Sequence, residues 1–219
     1  TITDKEGGNY AVSGSVTFEI RKGGAQLTKS PEARNLTYTG AAQELVTVGT
    51  ATGGRIEYKL RLDPDTDTFG TSIPEGTNAG TYTVDYKVVG DTNHTDGPSG
   101  SVTVTIQPKT VSNPTIELSP DSFEYDGTPK KPDVVVKDGN IVISPSEYTV
   151  SYSNNINKGA ATVTISNNAG GNYTVNGSKT FTIKAGNASL TGVPQAKNLI
   201  YNGFAQELVT DGTAVNGHV

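Results

Sequence analysis

Three carboxylates at alternate positions, Asp63, Asp65 and Asp67, form the clearest chemical signal in these 219 residues. That spacing opens an EF-hand loop, in which successive oxygen ligands wrap a calcium ion. The match then fails. The sixth position is Thr68, where the loop's sharp turn needs glycine, and the twelfth is Pro74, where a bidentate glutamate belongs. The segment reads as a solvated acidic loop with, at most, weak affinity for extracellular calcium. Imidazole is confined to His94 and His218, neither phased to a serine or carboxylate as a triad requires. There is no Cys, so the chain has no thiol nucleophile, disulfide or thiolate metal ligand. The glycine pairs are turn residues rather than a dinucleotide or phosphate loop. The expectation is a non-enzyme with no cofactor beyond that weak calcium.

Other reactive or sticky groups have plainer explanations. Asn35, Asn93, Asn172, Asn176 and Asn187 each open an Asn-x-Ser/Thr triplet, a glycan acceptor in secreted eukaryotic chains. In a chain this rich in Asn, Ser and Thr such triplets arise by chance. A sugar-stacking platform wants two or three coplanar aromatics, and Trp is absent. Tyr82, Tyr86, Tyr148 and Tyr152 sit at core-facing strand phase, while Tyr38, Tyr125 and Tyr201 precede glycines and cover module ends. A net charge of −5 and a pI near 5.0 argue against a nucleic-acid partner, which needs a basic face. No apolar run approaches the roughly 20 residues that span a bilayer as a helix. The absence of an initiator Met and of a signal peptide suggests an internal fragment of something longer.

The elements that must carry these residues are strands. Ile56, Tyr58, Leu60 and Leu62 alternate with Arg55, Glu57, Lys59 and Arg61. Tyr82, Val84, Tyr86 and Val88 share one face, and Val102, Val104 and Ile106 alternate with Thr103 and Thr105. This period of two is that of half-buried strands, with Gly, Asn and Pro clusters between them. No capped segment keeps a helical period over ten or more residues. The fold class is all-β.

Residues 1–56 align without a gap onto residues 164–219, with 32 of 56 positions identical. Gly7-Gly8-Asn9-Tyr10 returns as Gly170-Gly171-Asn172-Tyr173, and Ala42-Gln43-Glu44-Leu45-Val46-Thr47 as Ala205-Gln206-Glu207-Leu208-Val209-Thr210. The period divides again, because Tyr38-Thr39-Gly40 corresponds to Tyr125-Asp126-Gly127 and Asn78-Ala79-Gly80 to Asn157-Lys158-Gly159. The expected division is a module tail at 1–22, whole modules at 23–107 and 108–184, and a module head at 185–219. Each whole module has the strand count of a small antiparallel, Ig-like sandwich, and the modules are expected end to end.

Tyr125-Asp126-Gly127, Tyr148-Thr149-Val150-Ser151-Tyr152 and Gly171-Asn172-Tyr173 resemble the YDG and MBG repeats of bacterial cell-surface, adhesin-like proteins. The resemblance implies a structural or adhesive repeat segment, acting as stalk, spacer or fibre shaft at the bacterial surface. Its partners would be neighbouring modules or identical chains in a fibre. The alternative is a recognition module that binds glycan or a host or matrix protein through its end loops.

Overall fold

The computed structural model describes residues 1–62 and 68–215. Among them the only helical element is one 3-10 turn at Pro145–Glu147, and the rest of the regular structure is strand. The chain is all-β, and it divides into two compact units, Thr1–Gln107 and Pro108–Val219.

In the first unit Gly54–Leu60, Gly80–Gly90 and Ser99–Gln107 pair antiparallel, and Leu36–Thr37 adds to Ser99–Gln107 in parallel. Alternation decides the faces. Ile56, Tyr58, Val84, Val88, Val104 and Ile106 point inward and are buried, joined by Ala25, Leu45 and Val46 from short ribbons on the other side. Each such fully buried aliphatic side chain contributes about 1.5–3 kcal/mol relative to exposure. The outward residues form a charge ladder. Glu57 accepts from Arg55 at 2.6 Å and lies 3.5 Å from Lys87, while Asp85 pairs with Arg61. Gly54 is required where the first strand crosses its neighbour, since a Cβ there would lie 2.2 Å from the Val89 carbonyl oxygen.

The second unit repeats this plan. Ser122–Glu124, Gly177–Lys184, Gly159–Asn167 and Tyr148–Ser153 form a sheet of the same order and sense. A three-stranded sheet of Thr115–Ser119, Asp133–Asp138 and Ile141–Val142 accompanies it. Its core holds Ile116, Val136, Ile143, Val163, Ile165, Phe181 and Ile183, with Phe181 edge-on to Phe123 at 5.6 Å.

The sequence repeat is also a repeat of local structure. Gln26–Lys29 pairs with Thr50–Thr52 across a register shift at Leu27/Lys29, and Ser189–Gly192 pairs with Thr213–Val215 with the same shift at Leu190/Gly192. Arg34–Glu44 and Lys197–Glu207 are equivalent ion pairs, each at 2.6 Å. The Ile2–Gly14 bridge matches the Ile165–Gly177 pairing. Burial does not repeat. Leu45 is fully buried while Leu208 is 71% exposed, and Phe181 is 2% exposed while Phe18 is 85% exposed. Local sequence therefore forms the hairpins and turns, whereas burial depends on strands far away in the chain.

Candidate functional site

A closely hydrogen-bonded polar turn in the first unit follows the strand Gly80–Gly90. Asp91 reverses the chain: its Oδ1 accepts from the Asn93 amide at 2.8 Å and lies 2.6 Å from Nδ1 of His94. The His94 amide closes the turn on the Asp91 carbonyl at 3.3 Å. The His94 hydrogen bond, followed by that from the Asn93 amide, holds the Asp91 carboxyl below the usual carboxylate range.

The imidazole lies on backbone that carries no side chain. A Cβ at Gly53 would fall 2.6 Å from His94 Cδ2, and one at Gly23 would fall 3.2 Å away. Gly53 also has φ +75°, a conformation that favours glycine. The strand Gly23–Gly24 runs parallel to His94–Thr95, with Gly23 opposite His94. The side chain remains 35% exposed. With Nδ1 bound to a carboxylate, Nε2 is the nitrogen left for a metal, and this is the orientation that second-shell carboxylates impose on ligating histidines.

The second unit builds the same turn differently. Lys109–Val111 runs parallel to Tyr173–Val175, so Tyr173 stands where His94 does. There Glu147 serves the turn, with Oε2 accepting from the Asn172 amide at 2.6 Å and Oε1 from Asn172 Nδ2 at 3.1 Å. The imidazole thus belongs to the first unit alone among the described residues.

Asp63, Asp65, Asp67 and His218 lie outside the described residues. The tyrosines divide. Tyr148 is buried and Tyr82, Tyr86 and Tyr152 pack partly into the cores, while Tyr125 is 42% and Tyr201 90% exposed. Among the described residues no three His, Cys, Asp or Glu side chains gather as a metal cage. An open depression of about 480 Å³ is formed by the single loop Asn154–Ala160, with no nucleophile–base pair in its lining. The Asp91–His94 contact escaped sequence reasoning, which found no carboxylate phased to a histidine. Its signal was Asp-x-x-His at the end of a strand, a spacing that closes in a single turn.

No helix among the described residues is long and apolar enough to cross a membrane. No curated protein matches the chain. Residues 19–107, which include the four-stranded sheet and the His94 turn of the first unit, match the model of the CopC domain, copper resistance protein C. This match replaces the resemblance to YDG and MBG adhesin repeats. Period-two strands and glycine turns are common to all-β chains and do not separate one family from another. The fibre-shaft or adhesive role and the glycan- or host-binding alternative are corrected with it, as are the adhesion, filament and cell-wall descriptions. So are the expectations of no cofactor and of partners drawn from neighbouring modules or identical chains. CopC proteins bind copper, are not known as catalysts, and are periplasmic or secreted.

The residues present fit that metal only in part. Cu(I) prefers thiolate and thioether ligands, and the chain has neither Cys nor Met. Imidazole and carboxylate suit Cu(II), and His94 Nε2 is the single organised imidazole ligand among the described residues. The similarity to the CopC domain covers residues 19–107, and His94 lies within that segment.

Proposed function

We propose that the chain is a non-catalytic protein of the periplasm or extracellular space, built of CopC-like sandwich modules, that binds copper as Cu(II) through Nε2 of His94. The observation that carries this reading is the seating of His94 on Gly23 and Gly53 with Nδ1 held by Asp91, inside the segment that matches the CopC domain. Composition sets the oxidation state, because no soft ligand is available for Cu(I). With one imidazole and solvent filling the remaining positions, the site is a weak, exchangeable one. In the same reading residues 23–107 and 108–184 are whole Ig-like sandwich modules, 1–22 is a module tail and 185–219 a module head. The second module keeps the fold and has Tyr173 in the ligand's place.

The test is a Cu(II) titration of the full chain against a chelator of known affinity, in a His218→Ala background. One copper per chain is expected, with affinity falling at least tenfold in His94→Ala and about 10–100-fold in Asp91→Asn, the usual range for an outer-shell partner. Equal affinity in His94→Ala, with its urea transition unchanged, would sink the reading.

A further inference from the structure

Three turns in the chain share the pattern Tyr-x-Gly, and they differ in the side chain that closes them. Gly40, Gly127 and Gly203 all have φ between +80° and +84°. In each turn the residue before the glycine accepts a hydrogen bond from the amide two residues on. Thr39 Oγ1 accepts from Ala41 at 3.3 Å, Asp126 Oδ1 from Thr128 at 2.9 Å, and Asn202 Oδ1 from Phe204 at 3.0 Å.

We propose that Asn202 is a site of spontaneous deamidation, with the turn itself supplying the activation. The Gly203 amide nitrogen loses its proton to solvent base and attacks Cγ of Asn202, forming a new C–N bond. The Cγ–Nδ2 bond then breaks, and the leaving group takes a proton from water and departs as ammonia. The resulting five-membered imide is opened by water at either carbonyl, giving aspartate or its iso form. The net change is one water consumed and one ammonia released, with no oxidation or reduction.

Two features place the reaction here. The Phe204 N–H already points at Oδ1, where negative charge develops as Gly203 attacks, so it acts as a preorganised oxyanion donor. The attacking nitrogen belongs to a glycine with open space around it: a Cβ at Gly203 would meet nothing within 4 Å, and the flanking Tyr201 and Phe204 are 90% and 82% exposed. Water and base reach the turn freely.

The sister turns are inert for chemical reasons. Thr39 has no side-chain carbonyl. Asp126 is held ionised, first by its hydrogen bond to Lys130 and then by those to Thr128, and a carboxylate resists nucleophilic attack. Asn176-Gly177 is protected by structure. Asn176 exchanges hydrogen bonds with Asn167 at 3.3 and 3.4 Å, and Gly177 is locked in the ladder opposite Ile165. The remaining Asn-Gly pair, Asn216-Gly217, lies outside the described residues.

The experiment follows the full chain at 37 °C in mildly alkaline buffer, by peptide mapping and mass spectrometry, both folded and in concentrated urea. Asn202 is expected to convert first, and about fivefold faster folded than unfolded, the effect of one net hydrogen bond. Asn176 is expected to do the reverse and react only in urea. Gly203→Ala should slow Asn202 in both conditions, since the attacking nitrogen is then crowded. Conversion of Asn202 that is no faster folded than in urea would overturn the proposal, as would Asn176 keeping pace with it in the folded chain.

Discussion

Phe18 and Phe181 occupy the same place in the repeat, within Thr17-Phe18-Glu19-Ile20 and Thr180-Phe181-Thr182-Ile183. Replacing each by alanine separates what local sequence supplies from what burial supplies. Phe181 is 2% exposed, lies edge-on to Phe123 and sits among Ala161, Val163 and Ile183. Its truncation removes a ring from a closed core and leaves a cavity, costing about 3–5 kcal/mol. Phe18 is 85% exposed, so its truncation should stay within about 0.5 kcal/mol. A unit the size of Pro108–Val219 has about 5–15 kcal/mol of stability in total. Phe181→Ala therefore removes a large part of the second unit's stability. The assay is urea unfolding of the full chain, read by tyrosine fluorescence and by amide exchange so that the two units are resolved separately. The Phe181→Ala transition of the second unit should move by about 1.5 M urea or more, taking a slope of about 1–2 kcal/mol/M. The first unit's transition and the whole Phe18→Ala curve should remain in place. A cost for Phe18→Ala comparable with that for Phe181→Ala would refute the reasoning, since the burial difference would then carry no energy.

Three further outcomes follow from single groups. Asp126 has its folded pKa depressed by hydrogen bonds to Lys130 and Thr128. Its contribution is therefore present above the unfolded aspartate value of about 3.9 and is lost as pH falls through the lower folded value. Denaturant midpoints of wild type and Asp126→Asn should differ at neutral pH and converge in strong acid, and a gap that persists there would contradict the assignment. Burial raises the folded pKa of Tyr148, so its contribution is complete below about pH 10 and is lost as pH rises through the folded value. Tyr148→Phe should therefore shift the second unit's alkaline unfolding to higher pH, and an unchanged alkaline midpoint would count against it. A Cβ at Gly97 would meet the Ala25 carbonyl oxygen at 2.4 Å, whereas one at Gly70 would meet nothing within 4 Å. Gly97→Ala should cost about 1–3 kcal/mol in thermal or urea melts and Gly70→Ala much less, and equal costs would refute the contact.

Period-two alternation at Ile56, Tyr58 and Leu60 and at Val102, Val104 and Ile106 made the class and several inward faces readable, because strand geometry imposes that period directly. The 163-residue repeat likewise forecast local structure, down to the bulged pairing shared by Leu27/Lys29 and Leu190/Gly192. Burial was not readable from either signal. Leu45 and Leu208 sit in identical hexapeptides, and only Leu45 has Gly76, Tyr82 and Ile106 nearby. The site was half legible. Asp91 and His94 are three residues apart, but the glycines that seat the ring lie at 23 and 53, and their approach depends on the parallel pairing of Gly23–Gly24 with His94–Thr95. The acidic run Asp63–Asp67 drew attention through composition, while Asp91, three residues before His94, gave no compositional signal.

The most direct measurement of the central claim is the electron paramagnetic resonance spectrum of the full chain with one equivalent of Cu(II), for wild type and His94→Ala in the His218→Ala background. A copper signal with nitrogen coupling from one imidazole, abolished in His94→Ala, is the expected result. A spectrum of unbound copper in both proteins, or the same nitrogen coupling without His94, would contradict the assignment of copper to this site.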